Sequence, residues 1–263
     1  MKASPEVYAP DMQTREEKFE AALPKRRVGL ITPLSFIDGS AYEFYHLAPS
    51  GVMAVMSGLG LSEFTAADAE RIFEPLDKIA DKMIDRDIDM VMQSGLPPAL
   101  LLGVEGHDRV IARLAARTNV PASSTILAVC AAARHLGLKK IVVANKWSEE
   151  MNATLAAFFA RAGVSITGVV AELKIPKEYM KMGLPEYLDM GYRLGREALL
   201  AHPEADGLFL GGGAGVVQPA VEELEREFGK PVISNINAMI WEMLHRVDYW
   251  TPMPGRGLLL SSS

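Results

Sequence analysis

The sequence predicts an α/β protein of parallel sheets, arranged as two lobes of roughly four strands each. Short apolar runs alternate with longer amphipathic stretches along most of the chain, many of those runs stop on Gly, Pro, Ser or Asn, and the alternation restarts near residue 138. Parallel neighbours need long crossover connections, usually helices, so this alternation implies parallel sheets covered on both faces.

The elements follow in order. Residues 1–26 read as a polar arm with a short helix, and Arg27 to Thr32 (RVGLIT) is an apolar run closed by Pro33, as a buried strand would be. Gly51 to Met56 is a second apolar run after a Pro-Ser-Gly turn. Thr65 to Asp85 is amphipathic and opens with Thr-x-x-Asp, a helix-start pattern. Ile88 to Gln93 is the next strand, stopped by Ser94-Gly95-Leu96-Pro97-Pro98, and Asp108 to Thr118 and Ser123 to Leu136 have helical spacing. In the second half, Lys140 to Ala144, Val164 to Val170, Gly207 to Leu210 and Pro231 to Ser234 are strands, separated by helices over 148–162, 184–202 and 216–228. A last helix, Ala238 to Val247, is placed to cross back to the first lobe. The domain reading is an arm (1–26), a first lobe (27–137 plus 235–263) and a second lobe (138–234).

The formal net charge of −6, with no Lys/Arg block, argues against nucleic acid and for a small-molecule partner. No stretch of about 18 uninterrupted apolar residues suggests a membrane span, and the amino terminus has no apolar segment behind its early lysine, so a cytoplasmic location is expected. A lone cysteine, Cys130, excludes an intrachain disulfide and a Cys-based zinc cluster, and the five histidines show no metal-ligand spacing. Metal dependence is not expected.

Ligands of open parallel sheets sit beyond the carboxyl ends of the strands, so the residues there are the candidates: Pro33-Leu34-Ser35, Ser94-Gly95, Asn145-Lys146-Trp147, Gly211-Gly212-Gly213 and Ser234-Asn235. The glycine loop 211–215 lies between a strand and a helix, where backbone N–H groups can cradle a carboxylate or can simply form a turn. It fits neither nucleotide-loop pattern. Ser94-Gly95 takes the equivalent place in the first lobe. Lys146 stands one residue beyond KIVVA with Trp147 beside it, which suits either an acid/base group in a partly apolar cleft or a carboxylate anchor; a surface lysine is the alternative. His107 and Asp108, read as the start of a helix near the first lobe's crevice, and Asp38, Tyr42 and Glu43, read as loop after the first strand, supply further proton donors and acceptors. Cys130 lies in the apolar helical stretch ILAVCAAA, where a thiol behaves as a small hydrophobe.

GLITP at 29–33, APSGV at 48–52, TNVPASST at 118–125, LGLKKIVVANKW at 136–147 followed by Asn152, and DGLFLGGG at 206–213 together resemble the arylmalonate decarboxylase and maleate cis-trans isomerase branch of the aspartate/glutamate racemase superfamily. The resemblance covers nearly the whole chain. It implies two Rossmann-like lobes with four-stranded parallel sheets, related by a pseudo-twofold axis, a cofactor-free active site in the cleft between them, and homo-oligomers. It also implies a catalytic cysteine from one lobe or both, and here the chain departs: the matching positions fall at or next to Ser94 and at Gly212. The Thr-Pro-Tyr that typically ends the fifth strand reads Asn145-Lys146-Trp147.

The expected function is therefore a lyase, decarboxylase or isomerase acting on a small carboxylate or carbonyl compound by oxyanion or enolate stabilisation without a catalytic cysteine. Lys146, Ser94 and His107 are the catalytic candidates, and Pro33, Glu43, Gly95, Trp147, Gly212 and Gly213 the substrate-binding ones. Two alternatives stay open: a hydrolase of a small amide, cyclic imide or ester, with Ser94, His107 or an acidic residue of 38–43 assisting water, and a carboxylate-binding protein without catalysis.

Overall fold

The computed structural model describes residues 14–35, 39–61, 63–212 and 215–263. Among them a first parallel sheet has the order β2-β1-β3-β4, built from β1 (Arg26–Thr32), β2 (Val52–Gly58), β3 (Met90–Gln93) and β4 (Ala122–Ser124). The second repeats that plan as β6-β5-β7-β8, from β5 (Lys140–Asn145), β6 (Ser165–Ala171), β7 (Gly207–Leu210) and β8 (Val232–Ser234). The predicted two-lobed parallel α/β architecture is therefore the one observed. β3 and β7, covered on both faces, are buried at every residue, whereas the edge strand β6 is only partly covered, as parallel sheets require.

The helices of the first half are α1 (Arg15–Ala22), α2 (Gly39–Leu47), α3 (Ala66–Glu70), α4 (Phe73–Ile84), α5 (Pro97–Thr118) and α6 (Thr125–His135). Those of the second half are α7 (Glu149–Arg161), α8 (Pro176–Tyr179), α9 (Leu184–Ala201), α10 (Gln218–Phe228), α11 (Asn235–Arg246) and α12 (Gly257–Ser261). α1 fits the predicted short helix of the arm: Thr14 and Glu17 form a capping box, and none of its residues is buried.

Three local readings are revised. The segment carrying Tyr42 and Glu43 is helix α2, with Glu43 and Phe44 on its buried face; Asp38 lies outside the described residues. α5 begins at Pro97, because proline is tolerated where a helix has no N–H partner, and it is two helical segments joined at a kink, Gly103 (φ 68°), so His107 stands about one turn into the second segment. The single helix read over 65–85 is α3 plus α4.

One core cluster runs through both lobes, from Val28, Met90 and Ile126 to Val142, Phe209 and Ile240, and a second fills the outer face of the first sheet beneath α4 and α5. α11, which follows the last strand of the second sheet, packs on α6 and α2 of the first half. Two ties fix that crossing: the buried Ser123 hydroxyl donates to Glu242 Oε2 at 2.8 Å, and Arg26 Nε, half-buried, donates to the Val247 carbonyl at 2.6 Å. The carboxyl ends of both sheets consequently face one shared cleft. No described helix is long and apolar enough to cross a membrane.

Candidate active site

The cleft holds a cavity of about 70 Å³, several times the roughly 10–15 Å³ that one water needs. Its wall is drawn from the ends of five strands: Pro33 and Leu34 after β1, Ser94 to Pro97 after β3, Lys146 and Trp147 after β5, Gly212 after β7, and Asn235 and Ile236 after β8. Ser40, Glu43 and Phe44 of α2, Tyr179 of α8 and Met239 of α11 close it. Most of this lining is apolar, and Lys146 and Glu43 are the two charged residues among the described lining.

Lys146 is presented by a rigid turn. Asn145 Nδ2 donates to Asn152 Oδ1 at 2.6 Å, the Trp147 N–H donates to Asn145 Oδ1 at 2.9 Å, and Asn152 Nδ2 donates to the Trp147 carbonyl at 3.2 Å. These buried bonds satisfy the backbone of the turn and hold its side chains against the cavity. The Lys146 side chain is 4% exposed, its Nζ donates to the Tyr187 hydroxyl, and it lies 4.2 Å from the ring centroid of Tyr179 and 4.4 Å from that of Tyr187. Two ring faces stabilise a cation there. No carboxylate of the described residues pairs with it.

Gly212 has φ 148°, and a Cβ built on it would stand 3.0 Å from Tyr187 Oη and 3.3 Å from Lys146 Nζ. The amine thus occupies space that a side chain at 212 would need. Gly213 lies outside the described residues.

Glu43 reaches from α2 in the first lobe to the amino terminus of α10 in the second. Its Oε1 accepts the N–H groups of Val217 at 2.7 Å and Gln218 at 2.5 Å, donors that this helix end cannot satisfy internally. Burial, at 2% exposure, pushes its pKa up to about 7 despite those two N–H groups, with the Glu222 charge adding to the rise. Oε2 makes no hydrogen bond among the described residues. Glu43 therefore exchanges a proton near neutral pH.

Two sequence expectations are corrected by these hydrogen bonds. The Ser94-Gly95 turn is not an N–H cradle: the Ser94 N–H donates to the Ile31 carbonyl, the Gly95 N–H to Thr125 Oγ1 at 2.8 Å, and Pro97 and Pro98 have no N–H to offer. Gln93 Nε2 locks the same turn from beneath, at 2.5 Å and 2.9 Å from the Ser94 and Gly95 carbonyls. What Ser94 brings to the cavity is its hydroxyl, whose one hydrogen-bond contact among the described residues is Met239 Sδ at 3.8 Å. His107, in turn, is not among the cavity-lining residues. It is 1% exposed, with Nε2 2.7 Å from Ser124 Oγ and its ring edge-on to Phe158, and burial pushes its pKa down to about 4, so it is neutral at pH 7. Ser94 and His107 do not form a nucleophile and base couple.

Pro33, Glu43, Gly95, Lys146, Trp147, Gly212 and Ser94 all line this one cavity. Tyr179, Tyr187, Ser40 and Met239 escaped the sequence reading. The aromatic pair comes from α8 and α9, far from Lys146 in sequence, and no local pattern marks it.

A model of the arylmalonate decarboxylase family matches residues 28–260. The chain belongs to this family. It is 25% identical over 218 residues to an arylmalonate decarboxylase of Bordetella bronchiseptica, covering 80% of this chain and 86% of the relative. It is 22% identical over 219 residues to a maleate isomerase of Geobacillus stearothermophilus, covering 78% and 82%. Among solved structures, arylmalonate decarboxylase superposes with a TM-score of 0.75 at 22% identity, covering 90% of this chain and 100% of that one. A maleate cis-trans isomerase of Nocardia farcinica, carrying a covalently bound succinylcysteine intermediate, superposes at 0.78 and 20% identity, covering 90% and 98%. The only cysteine of the present chain does not line the cavity. Cys130 is buried in α6, its thiol directed at the Phe158 carbonyl at 3.7 Å, and burial pushes its pKa up to about 12, which suppresses the reactive thiolate.

Proposed function

We propose that the chain is a cofactor-independent enzyme of decarboxylase or isomerase type that moves a proton at the carbon beside the carboxylate of a small acid, without a catalytic cysteine. The observation that carries this reading is one small apolar cavity faced by both a buried ammonium that has no ion pair among the described residues, Lys146, and a carboxyl that titrates near neutrality, Glu43. The family supports it, since relatives are named for arylmalonate decarboxylation and maleate isomerisation.

The substrate carboxylate sits against Lys146, where dry surroundings strengthen the attraction. Removing a proton from the adjacent carbon, or losing carbon dioxide from it, moves negative charge onto the carboxylate oxygens. Lys146, already in place, stabilises that developing enolate more than it stabilises the ground state. The amino terminus of α11, where Asn235 and Ile236 meet the cavity, adds a favourable dipole. Glu43 takes or returns the proton, its pKa close to the pH at which it works. Lys146 is thus the electrostatic anchor and Glu43, assigned from sequence to binding, the acid/base.

A panel of small carboxylates incubated in deuterated, oxygen-18-labelled water and read by mass spectrometry tests this. Deuterium on the carbon beside the carboxylate, lost in Lys146→Met and Glu43→Gln, is the expected result. Oxygen-18 entering the product carboxylate, with no deuterium on carbon, is hydrolysis and overturns the reading.

A further inference from the structure

We infer that Tyr179 is a further catalytic residue, whose phenol donates a hydrogen bond to the enolate oxygen that forms beside Lys146. This adds a third group to Lys146 and Glu43 and rests on the proposed function.

The position of Tyr179 leads to it. α8 is a single turn that opens on Pro176, and it sets Tyr179 into the wall of the cavity. The chain just before it is tied to the turn that presents Lys146, the Lys174 N–H donating to the Lys146 carbonyl at 3.1 Å. Tyr179 is 6% exposed, and its ring is the nearer of the two that lie against the Lys146 ammonium, at 4.2 Å. A carboxylate drawn to that ammonium is therefore brought beside Tyr179. The phenol makes no hydrogen bond with any described residue, whereas buried hydroxyls in folded proteins are nearly always satisfied, so a bound substrate is the partner it lacks.

The other hydroxyls of the wall are placed differently. Thr32 Oγ1 donates to the Leu34 carbonyl at 3.0 Å, and Ser94 Oγ faces Met239 Sδ. Ser40 Oγ is buried without a partner among the described residues, but it belongs to α2 of the first lobe and Lys146 to the second. The Leu96 N–H and the amino termini of α2, α5 and α11 also meet the cavity and favour negative charge in it. Tyr179 adds a donor at the ammonium itself. Burial, with Tyr187 beside it, holds the phenol above its ordinary 10.0, so it keeps its proton through the neutral range. It is therefore a donor and not a proton carrier. Its hydrogen bond strengthens as the carboxylate oxygen takes up enolate charge, which lowers the barrier more than it tightens substrate binding.

The test is Tyr179→Phe, which keeps the ring under the ammonium and removes only the hydroxyl. Phenylmalonate, methylmalonate, phenylacetate and propionate are each incubated with the full chain in deuterated water, and deuterium uptake beside the carboxylate is read by mass spectrometry. Kinetics from pH 5.5 to pH 8.5 then use the acid that the parent turns over fastest. The expected result is kcat about 10²-fold lower, as for other single oxyanion donors, with KM within about threefold and the midpoint near pH 7 set by Glu43 unmoved. Urea unfolding should show stability equal to or above that of the parent, because removing a hydroxyl that has no protein partner strands no other group. A kcat of the folded variant within about threefold of the parent overturns the inference and leaves the proposed function standing. A midpoint that moves or vanishes with the hydroxyl makes Tyr179 the proton carrier and overturns the inference as well. No deuterium uptake by the parent into any of the four acids overturns the proposed function and the inference together.

Discussion

Replacing Glu43 by glutamine isolates the cost of burying its charge. In the unfolded chain this carboxyl ionises at its ordinary 4.5, and in the fold at about 7, chiefly because burial disfavours the anion. Between those values the native state holds more protons than the unfolded state, so the contribution of Glu43 to stability falls as pH rises from 4.5 through 7 and is level above. At about 1.4 kcal/mol per pH unit, the separation comes to about 3 kcal/mol. Glutamine does not titrate, and its amide oxygen still accepts from Val217 and Gln218. Any constant loss from a weaker cap shifts the whole difference without changing its slope. The assay is urea unfolding of parent and variant at steps from pH 4.5 to pH 8.5, plotting variant minus parent stability. The expected trace rises by about 3 kcal/mol across the window and then flattens. The difference matters because His107 acts in the opposite sense: its pKa is lowered from 6.5 to about 4, so its contribution is lost as pH falls through that range and masks Glu43 in the parent alone. A flat difference would mean that Glu43 ionises as a wetted carboxyl, and its assignment as the proton carrier would fall with it.

Lys146→Met removes a buried cation while preserving much of its packing, so unfolding should show unchanged or raised stability while kcat/KM falls about 10²–10³-fold, as for other pre-positioned electrostatic groups. Cys130→Ala should cost about 1–2 kcal/mol in urea unfolding, as a small core truncation, and leave kcat/KM within about twofold. His107→Ala should cost about 2–4 kcal/mol by leaving a hole beside Phe158 and stranding the Ser124 hydroxyl, yet kcat/KM of the folded fraction should be unchanged. Gly212→Ala places a methyl against Tyr187 and Lys146 at φ 148°, and should cost about 1–3 kcal/mol in thermal unfolding and depress activity by displacing the amine.

The sequence made the sheets legible where burial on both faces leaves an unbroken apolar run. RVGLIT, MVMQ within 88–93, and GLFL were read within a residue or two of β1, β3 and β7. β4 is three residues, Ala-Ser-Ser, with no apolar period, and its pairing with β3 is tertiary. The strand ends located the cavity, because topology alone places them at the cleft. Their availability was another matter. Whether the Gly95 N–H is free depends on Thr125, 30 residues away, and what faces Lys146 depends on Tyr187, 41 residues away. His107 was read within about a turn of the start of the helical segment that resumes after Gly103, but it was set at a crevice that it does not reach: its ring turns inward to Ser124 and Phe158, which no local pattern marks.

Proton exchange on carbon is the most direct test of cysteine-free catalysis by Lys146 and Glu43. Parent, Lys146→Met, Glu43→Gln and Cys130→Ala proteins would each be incubated with 2-substituted monocarboxylic acids in deuterated water and analysed by mass spectrometry. Deuterium uptake by the parent and by Cys130→Ala, with loss in the other two, is the predicted pattern; uptake abolished in Cys130→Ala or retained in Lys146→Met would contradict it.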